Sequence, residues 1–256
     1  MPEYITSREN PAVKAARRLL HDNLAYRKLG QIWLEGDHLC RAAIARGVRP
    51  ATAIFAESAW AGLAPDVQQA ANRSLVIPDA LFKELSGLES PASMGFLLDL
   101  PVQPKMVADA GTIVLDRVQD AGNVGSILRS AAAFGFGQVL AIKGTAALWS
   151  PKVLRAGMGA HFALRLMEGQ TLSDIEKLTT PLLVTSSHQG ALIHKLAFPH
   201  PCAWVLGHEG QGVSPELMAL AALTVRIGQP GGEESLNVAA AAAICLHASS
   251  ASHGNL

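Results

Sequence analysis

Apolar positions fall in short runs that alternate with helical patterns along the whole chain. In the first hundred residues "QIWLE", "TAIFAE", "SLVIP" and "GFLLDL" read as strands, being short, apolar and rich in β-branched or aromatic residues. Between them, "HLCRAAIARG" and "DVQQAANR" read as helices. The alternation resumes with "TIVLD", "QVLAIKG", "PLLVTSS", "CAWVLG" and "LTVRIG" as strands. "NVGSILRSAAAFG" is a helix closed by Gly135, and "SPKVLRAGMGA" and "SPELMALAA" start on Ser-Pro, which suits an N-cap followed by the first helical position. Strands interleaved with helices predict an α/β fold with a mainly parallel sheet covered on both faces.

The stretch "LDLPVQPKMVADAG", residues 98 to 111, breaks the pattern with two prolines and no helical period, so it reads as a linker. The expected organisation is an α/β domain over 1–100, a linker over 101–110 and a second α/β domain over 111–256. At 256 residues, 49% of them apolar, the chain can bury a substantial core. The start "MPEYITSREN" lacks a signal-peptide profile, and the longest apolar run, Val238 to Leu246, falls short of the roughly 18 residues of a membrane span. Cys40, Cys202 and Cys245 are too scattered for a disulfide framework or a zinc site. The expectation is a soluble cytoplasmic protein with no metal and no membrane partner.

Net charge is zero, so there is no overall pull toward nucleic acid. Locally, however, Arg8, Lys14, Arg17, Arg18, Arg27 and Lys28 outnumber Glu3, Glu9 and Asp22 in the first thirty residues. A solvated helix face and an RNA contact both fit such a cluster.

In parallel sheets, ligands bind beyond the carboxyl ends of the strands. Three polar, glycine-rich stretches fall there. In "DRVQDAGNVGSILR", Asn123 suits an N-cap, while Gly125 lies four residues before Arg129 on one helix face, leaving room beside the guanidinium. Arg129 could bind a ligand there or simply pair with Asp116 or Asp120. In "LGHEGQGVS", Gly207, Gly210 and Gly212 bracket Glu209 and allow close backbone approach. In "GGEESLNVAAAAAICLH", Gly231 and Gly232 make a loop, Ser235 is placed to cap the helix, and Asn237 falls in its first turn. The alanines at 239 to 243 let another backbone come close.

No G-x-G-x-x-G follows a strand and no G-K-[ST] occurs, which removes the main support for a phosphate-cradling nucleotide enzyme. H-E-x-x-H and G-x-S-x-G are also missing, and the nine histidines have no ligand spacing.

Taken in order, "NVGSILR", "LGHEGQG" and "IGQPGGEESLNVA" resemble the signature of the SpoU (TrmH) branch of the SPOUT RNA methyltransferases. "SPKVLRAGMGAHF" is also similar to that family. "ITSRENPAVKAARRL" and "WLEGDHLCRAA" resemble the L30e-like substrate-binding domain that precedes many SpoU catalytic domains. The resemblance implies a carboxy-terminal α/β domain with a deep trefoil knot, itself a rare exception to chain-threading rules, and a homodimer through that domain. It implies transfer of a methyl group from S-adenosylmethionine to a ribose 2'-hydroxyl in RNA. By position, Asn123, Arg129, Glu209, Ser235 and Asn237 match the family's catalytic residues, and Leu206, Gly207, Gly212, Ile227 and Leu236 its cofactor pocket. Arg8, Lys14, Arg17 and Arg18 become candidate RNA contacts. Ribosomal RNA is favoured over tRNA as partner. The alternatives are a tRNA 2'-O-methyltransferase and a non-catalytic RNA-binding assembly protein.

One departure stands out. Where the family has Ile-Pro, this chain has Ile227-Gly228, with proline only at Pro230. Glycine leaves that turn looser than proline, which fixes φ.

Overall fold

The computed structural model describes every residue except Met1, Glu89, Pro91, 232–234 and 253–256. Its elements run β1 (Glu3–Tyr4), α1 (Pro11–His21), α2 (Ala25–Leu29), β2 (Gln31–Glu35), α3 (Asp37–Ala45), β3 (Thr52–Ala56), α4 (Glu57–Trp60) and α5 (Pro65–Gln68). There follow β4 (Arg73–Ile77), α6 (Asp79–Lys83), β5 (Met94–Asp99), β6 (Thr112–Leu115), α7 (Ala121–Ala133), β7 (Gln138–Ile142) and α8 (Pro151–Gly157). The chain ends with β8 (Arg165–Gln170), α9 (Leu172–Ile175), β9 (Leu182–Thr185), β10 (Ala191–Leu192), β11 (Ala203–Leu206), α10 (Pro215–Ala219), β12 (Leu223–Arg226) and α11 (Val238–Ala251). Among the described residues no helix is long and apolar enough to cross a membrane.

Two compact units form. The first joins residues 1–102 to 149–162, and the second joins 103–148 to 163–256. The excursion at 149–162 cuts across the linear stretch 111–256. Its reason is apolar: Pro151, Val153 and Leu154 are buried, and α8 packs against β2.

The first unit holds a mixed sheet in the order β1-β4-β3-β5-β2, with β5 antiparallel to both β2 and β3. Helix α1 begins where the Asn10 side chain accepts from the Ala12 amide at 3.0 Å and Pro11 takes the first helical position. Ala12, Val13, Ala16 and Leu19 are its buried stripe, at the three-to-four residue spacing of a helix lying on a sheet.

The second unit holds a parallel sheet in the order β10-β12-β9-β11-β6-β7-β8. Its central strands are apolar and buried at nearly every position because both faces are covered. Trp204 on β11 is fully buried and donates from its indole nitrogen to the Ser249 hydroxyl on α11 at 2.9 Å, which fixes that helix over the sheet. Buried Gln138 accepts from the Val107 amide at 2.8 Å and donates to the Thr112 hydroxyl at 2.9 Å, so the entry segment is pinned to the strand edge. All three cysteines are buried, and burial pushes the thiols up, to about 11 for Cys202 and about 12 for Cys245.

Chain order places the site. From β6 the sheet grows through β7 to β8; from β11 the chain leads to β12, beyond β9 on the other side. The β6–β11 pair is therefore a topological switch point, where loops diverge and leave a crevice.

Candidate active site

Four loops leave the carboxyl ends of β6, β9, β11 and β12, which are neighbours in the sheet. Three carry the motifs read from the sequence, and a chain of hydrogen bonds joins them. The Glu209 carboxylate accepts from the Gln119 amide at 3.1 Å, the Asp120 amide at 3.0 Å and the Asn123 side chain at 3.0 Å. The Asn123 side-chain oxygen accepts from the Asn237 amide nitrogen at 2.9 Å. The Asn237 oxygen in turn accepts from the Ala239 and Ala240 amides at 2.9 and 3.2 Å. Each amide thus turns its donor toward Glu209 and its acceptor toward α11, so the direction of both side chains is set.

This arrangement corrects two capping expectations. Asp120, not Asn123, is the N-cap of α7, accepting from the Asn123 amide at 2.8 Å. Asn237, not Ser235, is the N-cap of α11, which starts two residues later than a Ser235 cap would require. The reason is common to both helices: once Glu209 ties up the Gln119 and Asp120 amides, Asn123 and Asn237 are held as a pair across the loops. Ser235 is left exposed, its hydroxyl without a partner among the described residues. Gly232 lies outside the described residues.

Glu209 sits at the N-terminus of α7, where a negative charge is favoured. Partial burial raises its carboxyl, but hydrogen bonds from Asn123, Gln119 and Asp120 outweigh burial and bring it down to about 2. A carboxylate this well satisfied is a weak base at neutral pH, so its part is to position Asn123. A folded value below the ordinary 4.5 means stabilisation that is complete above pH 4.5 and disappears as pH falls toward 2. Glu209→Gln is expected to flatten that portion of the acid-unfolding curve, followed by circular dichroism from pH 5 to pH 2. An unchanged curve would mean that the carboxylate contributes nothing there.

A second brace lies behind the first. Buried Asp116 accepts from the Ser214 amide at 2.7 Å and from the Arg117 guanidinium at 2.9 Å, while Arg117 also donates to Gln211 at 3.2 Å. Arg117 takes a left-handed backbone, φ 57°, a conformation that costs energy in a non-glycine residue and recurs at functional sites. Asp116 and Asp120 are therefore both committed elsewhere, and neither pairs with Arg129. Arg129 is exposed on α7 with no hydrogen bond or ion pair among the described residues. Gly125, one turn earlier on the helix, is buried.

The loop after β11 folds back on itself, His208 and Gly212 exchanging backbone hydrogen bonds at 3.0 and 2.8 Å. A Cβ at Gly207 would lie 2.3 Å from backbone atoms of Gly212 and Val213, so only glycine fits. Gly228 is different, because a Cβ there would meet only the Leu192 side chain at 3.5 Å.

These loops line a cavity of about 1170 Å³. Of the expected pocket residues, Gly207, Gly212, Ile227 and Leu236 line it, together with Glu209, Ser235 and Asn237. Leu206 does not: it is buried in β11, and its carbonyl accepts from the Asp116 amide at 2.9 Å. Asn123 and Arg129 lie outside the lining. Sequence reasoning missed one wall, Thr185 to Gly190, and also Gln229. The signal was present, since "SSHQG" follows a predicted parallel strand just as the other three loops do.

Among the candidate RNA contacts, Arg8 pairs with Glu84, Lys14 with Glu9 at 2.8 Å, and Arg17 donates to the Arg8 carbonyl at 2.9 Å. The Arg18 side chain is exposed and unpaired among the described residues. Exposed, solvent-screened pairs such as Lys14–Glu9 are too weak to withhold these cations from a phosphate.

A parallel α/β domain with a cavity at the carboxyl ends of its strands, walled by the second and third motifs and braced by hydrogen bonds to the first, defines a SpoU-type methyltransferase domain. Residues 111–247 match the SpoU rRNA Methylase family. The chain is 32% identical to an uncharacterised tRNA/rRNA methyltransferase of Synechocystis, over 95% of this chain and 92% of that one. It is 28% identical to the 23S rRNA (guanosine(2553)-2'-O)-methyltransferase RlmP of Bacillus subtilis, over 96% and 98%. A crystal structure of an RNA 2'-O ribose methyltransferase superposes with a TM-score of 0.80 at 30% identity, covering 99% of this chain and all of that one.

The protein belongs to the SpoU family. It is an S-adenosylmethionine-dependent RNA ribose 2'-O-methyltransferase. The site suits that cofactor: the cavity is large enough, glycine backbone forms one wall, and the Gln229 oxygen is a buried acceptor without a protein partner.

Proposed function

We propose that the enzyme methylates ribosomal RNA, acting as a homodimer in the cytoplasm, and that Asn123, Arg129, Glu209, Ser235 and Asn237 carry the reaction. The observation behind this reading is the Glu209–Asn123–Asn237 chain, whose two ends, Glu209 and Asn237, line the cavity. It holds the three motif loops in one geometry and leaves the Ser235 hydroxyl available.

Bound in the cavity, S-adenosylmethionine supplies a methyl group on a positively charged sulfur. What remains for the protein is alignment and help with a proton, because a ribose hydroxyl is a poor nucleophile until its proton leaves. Glu209 is a positioning residue that acts through Asn123. Asn237 and Ser235 lie on the cavity wall, where they orient the ribose by hydrogen bonds. A guanidinium makes a poor base, so proton removal is not the part assigned to Arg129. It grips an RNA phosphate and supports negative charge as it develops on the attacking oxygen.

The preference for ribosomal RNA rests on the likeness to RlmP along nearly the whole of both chains. In this reading residues 1–100 form an L30e-like substrate domain whose Arg8, Lys14, Arg17 and Arg18 contact phosphate, which positions RNA without reading its sequence. The homodimer and the knot both involve the carboxy-terminal domain. Support for the dimer comes from α11, where Ala240, Ile244 and His247 are exposed, and from an apolar groove beside it lined by Phe134, Ile193, Ala243 and Ile244.

The test uses methyl-labelled S-adenosylmethionine with RNA from cells lacking the enzyme, followed by alkaline hydrolysis. A 2'-O-methyl group blocks cleavage at its own phosphodiester, so label is expected in resistant dinucleotides from ribosomal RNA. The same label from tRNA would favour the tRNA reading. Cofactor binding with no transfer to free RNA or ribosomal particles would favour a structural role in assembly.

A further inference from the structure

Gln229 lies within the third motif, but it is none of the residues that the resemblance assigns to catalysis or to the cofactor pocket. Yet Gln229 lines the cavity, its side-chain oxygen is closed to solvent, and that oxygen has no hydrogen-bond partner among the described residues. Its amide nitrogen has no partner among the described residues either. A buried acceptor left unpaired is costly, and such groups in native proteins are matched by a donor that arrives with a ligand or water. The residues around it sharpen the chemistry. Val225, Ile227 and Leu236 are apolar members of the same cavity lining, and Pro230, next in the chain, has no N–H to offer.

Resting on the reading of the cavity as the S-adenosylmethionine site, we propose that the Gln229 carboxamide recognises the adenine edge of the methyl donor. The oxygen accepts from the exocyclic 6-amino group, and the amide nitrogen donates to the adjacent ring nitrogen. A carboxamide has a donor and an acceptor side by side, which is the complement of an adenine edge. The ammonium end of the donor molecule is a poorer match, since a full positive charge favours a carboxylate, and Gln229 is neutral. Gln229 is thus a specificity residue for the base.

Isothermal titration of the full-length protein tests this, with two ligands: S-adenosylhomocysteine and its inosyl analogue, in which oxygen replaces the 6-amino group. The wild type is expected to bind the adenosyl ligand at least tenfold more tightly. Gln229→Met is expected to lose about tenfold for the adenosyl ligand and nothing for the inosyl one, so the discrimination collapses. Its ligand-free melting temperature should hold or rise, because an unpaired buried oxygen has been removed. Gln229→Glu keeps the acceptor and the length, and is expected to keep a preference for the adenosyl ligand. Equal weakening toward both ligands, a drop in melting temperature alongside the lost affinity, or unchanged discrimination in Gln229→Met would overturn the assignment. So would loss of the preference in Gln229→Glu. A wild type that binds neither ligand would instead remove the cofactor reading itself.

Discussion

Arg129→Ala is expected to lower kcat by about a thousandfold while leaving the Kd for S-adenosylmethionine within twofold of wild type. The size follows from what one preorganised donor to a developing oxyanion contributes, about 10²–10³ in rate, together with a lost grip on phosphate. The split follows from position. Arg129 is exposed, has no partner among the described residues and does not line the cavity, so its removal breaks nothing that holds the cofactor loops. Folding should be unharmed as well, because alanine is the best helix former and the site is on the surface of α7. Arg129→Lys keeps charge but loses the two-pronged geometry, and should recover about tenfold of the loss. Single-turnover methylation with calorimetric cofactor titration checks both numbers. Wild-type turnover in Arg129→Ala would remove the arginine from the chemistry, and a Kd rising in step with the lost rate would make it a cofactor ligand instead.

That division between Arg129 and the cavity could not be read from the sequence, whereas much of the frame could. "QIWLE" marks β2 to the residue, and the apolar runs at β6, β7, β9, β11 and β12 needed only their hydrophobicity, because strands covered on both faces have no polar side to confuse the pattern. β8 escaped because "RLMEGQ" is apolar only in its middle, and β1 and β10 are two-residue strands too short for any period. The helix expected over "DVQQAANR" stops at Gln68 for a tertiary reason: its side chain donates to the Trp60 carbonyl, and its own carbonyl accepts from Ser74, both at 2.9 Å. The caps failed for a related reason. Asp120 and Asn123 suit an N-cap equally, as do Ser235 and Asn237; Glu209 engages Asn123 from 86 residues away in the chain, and Asn123 engages Asn237 from 114. Local chemistry names the candidates, and long-range hydrogen bonds select among them.

The same rule governs the excursion at 149–162, where the largest loss of stability is expected. Glu35, at the end of β2, is 5% exposed. Its carboxylate accepts from the Ser86 hydroxyl, from the Gly87 amide at 3.1 Å and from the Arg155 guanidinium of α8 at 3.2 Å. The fit is close, because a Cβ at Gly87 would lie 2.7 Å from that guanidinium. Removing one member of a buried ion pair strands the other's charge and costs about 3–5 kcal/mol. Arg155 is partly exposed, its side chain at 27%, which puts Arg155→Met at the lower end, about 3 kcal/mol. The destabilisation comes from the uncompensated carboxylate rather than from the lost attraction, so the double variant Glu35→Gln/Arg155→Met should regain most of it. Urea unfolding followed by tryptophan fluorescence measures all three proteins, Trp33 on β2 and Trp149 before α8 reporting from the unit concerned. Arg155→Met within about 0.5 kcal/mol of wild type, the range of an ordinary surface change, would mean that apolar packing alone holds α8 against β2. A double variant as unstable as Arg155→Met would mean that the arginine acts through its stem rather than its charge.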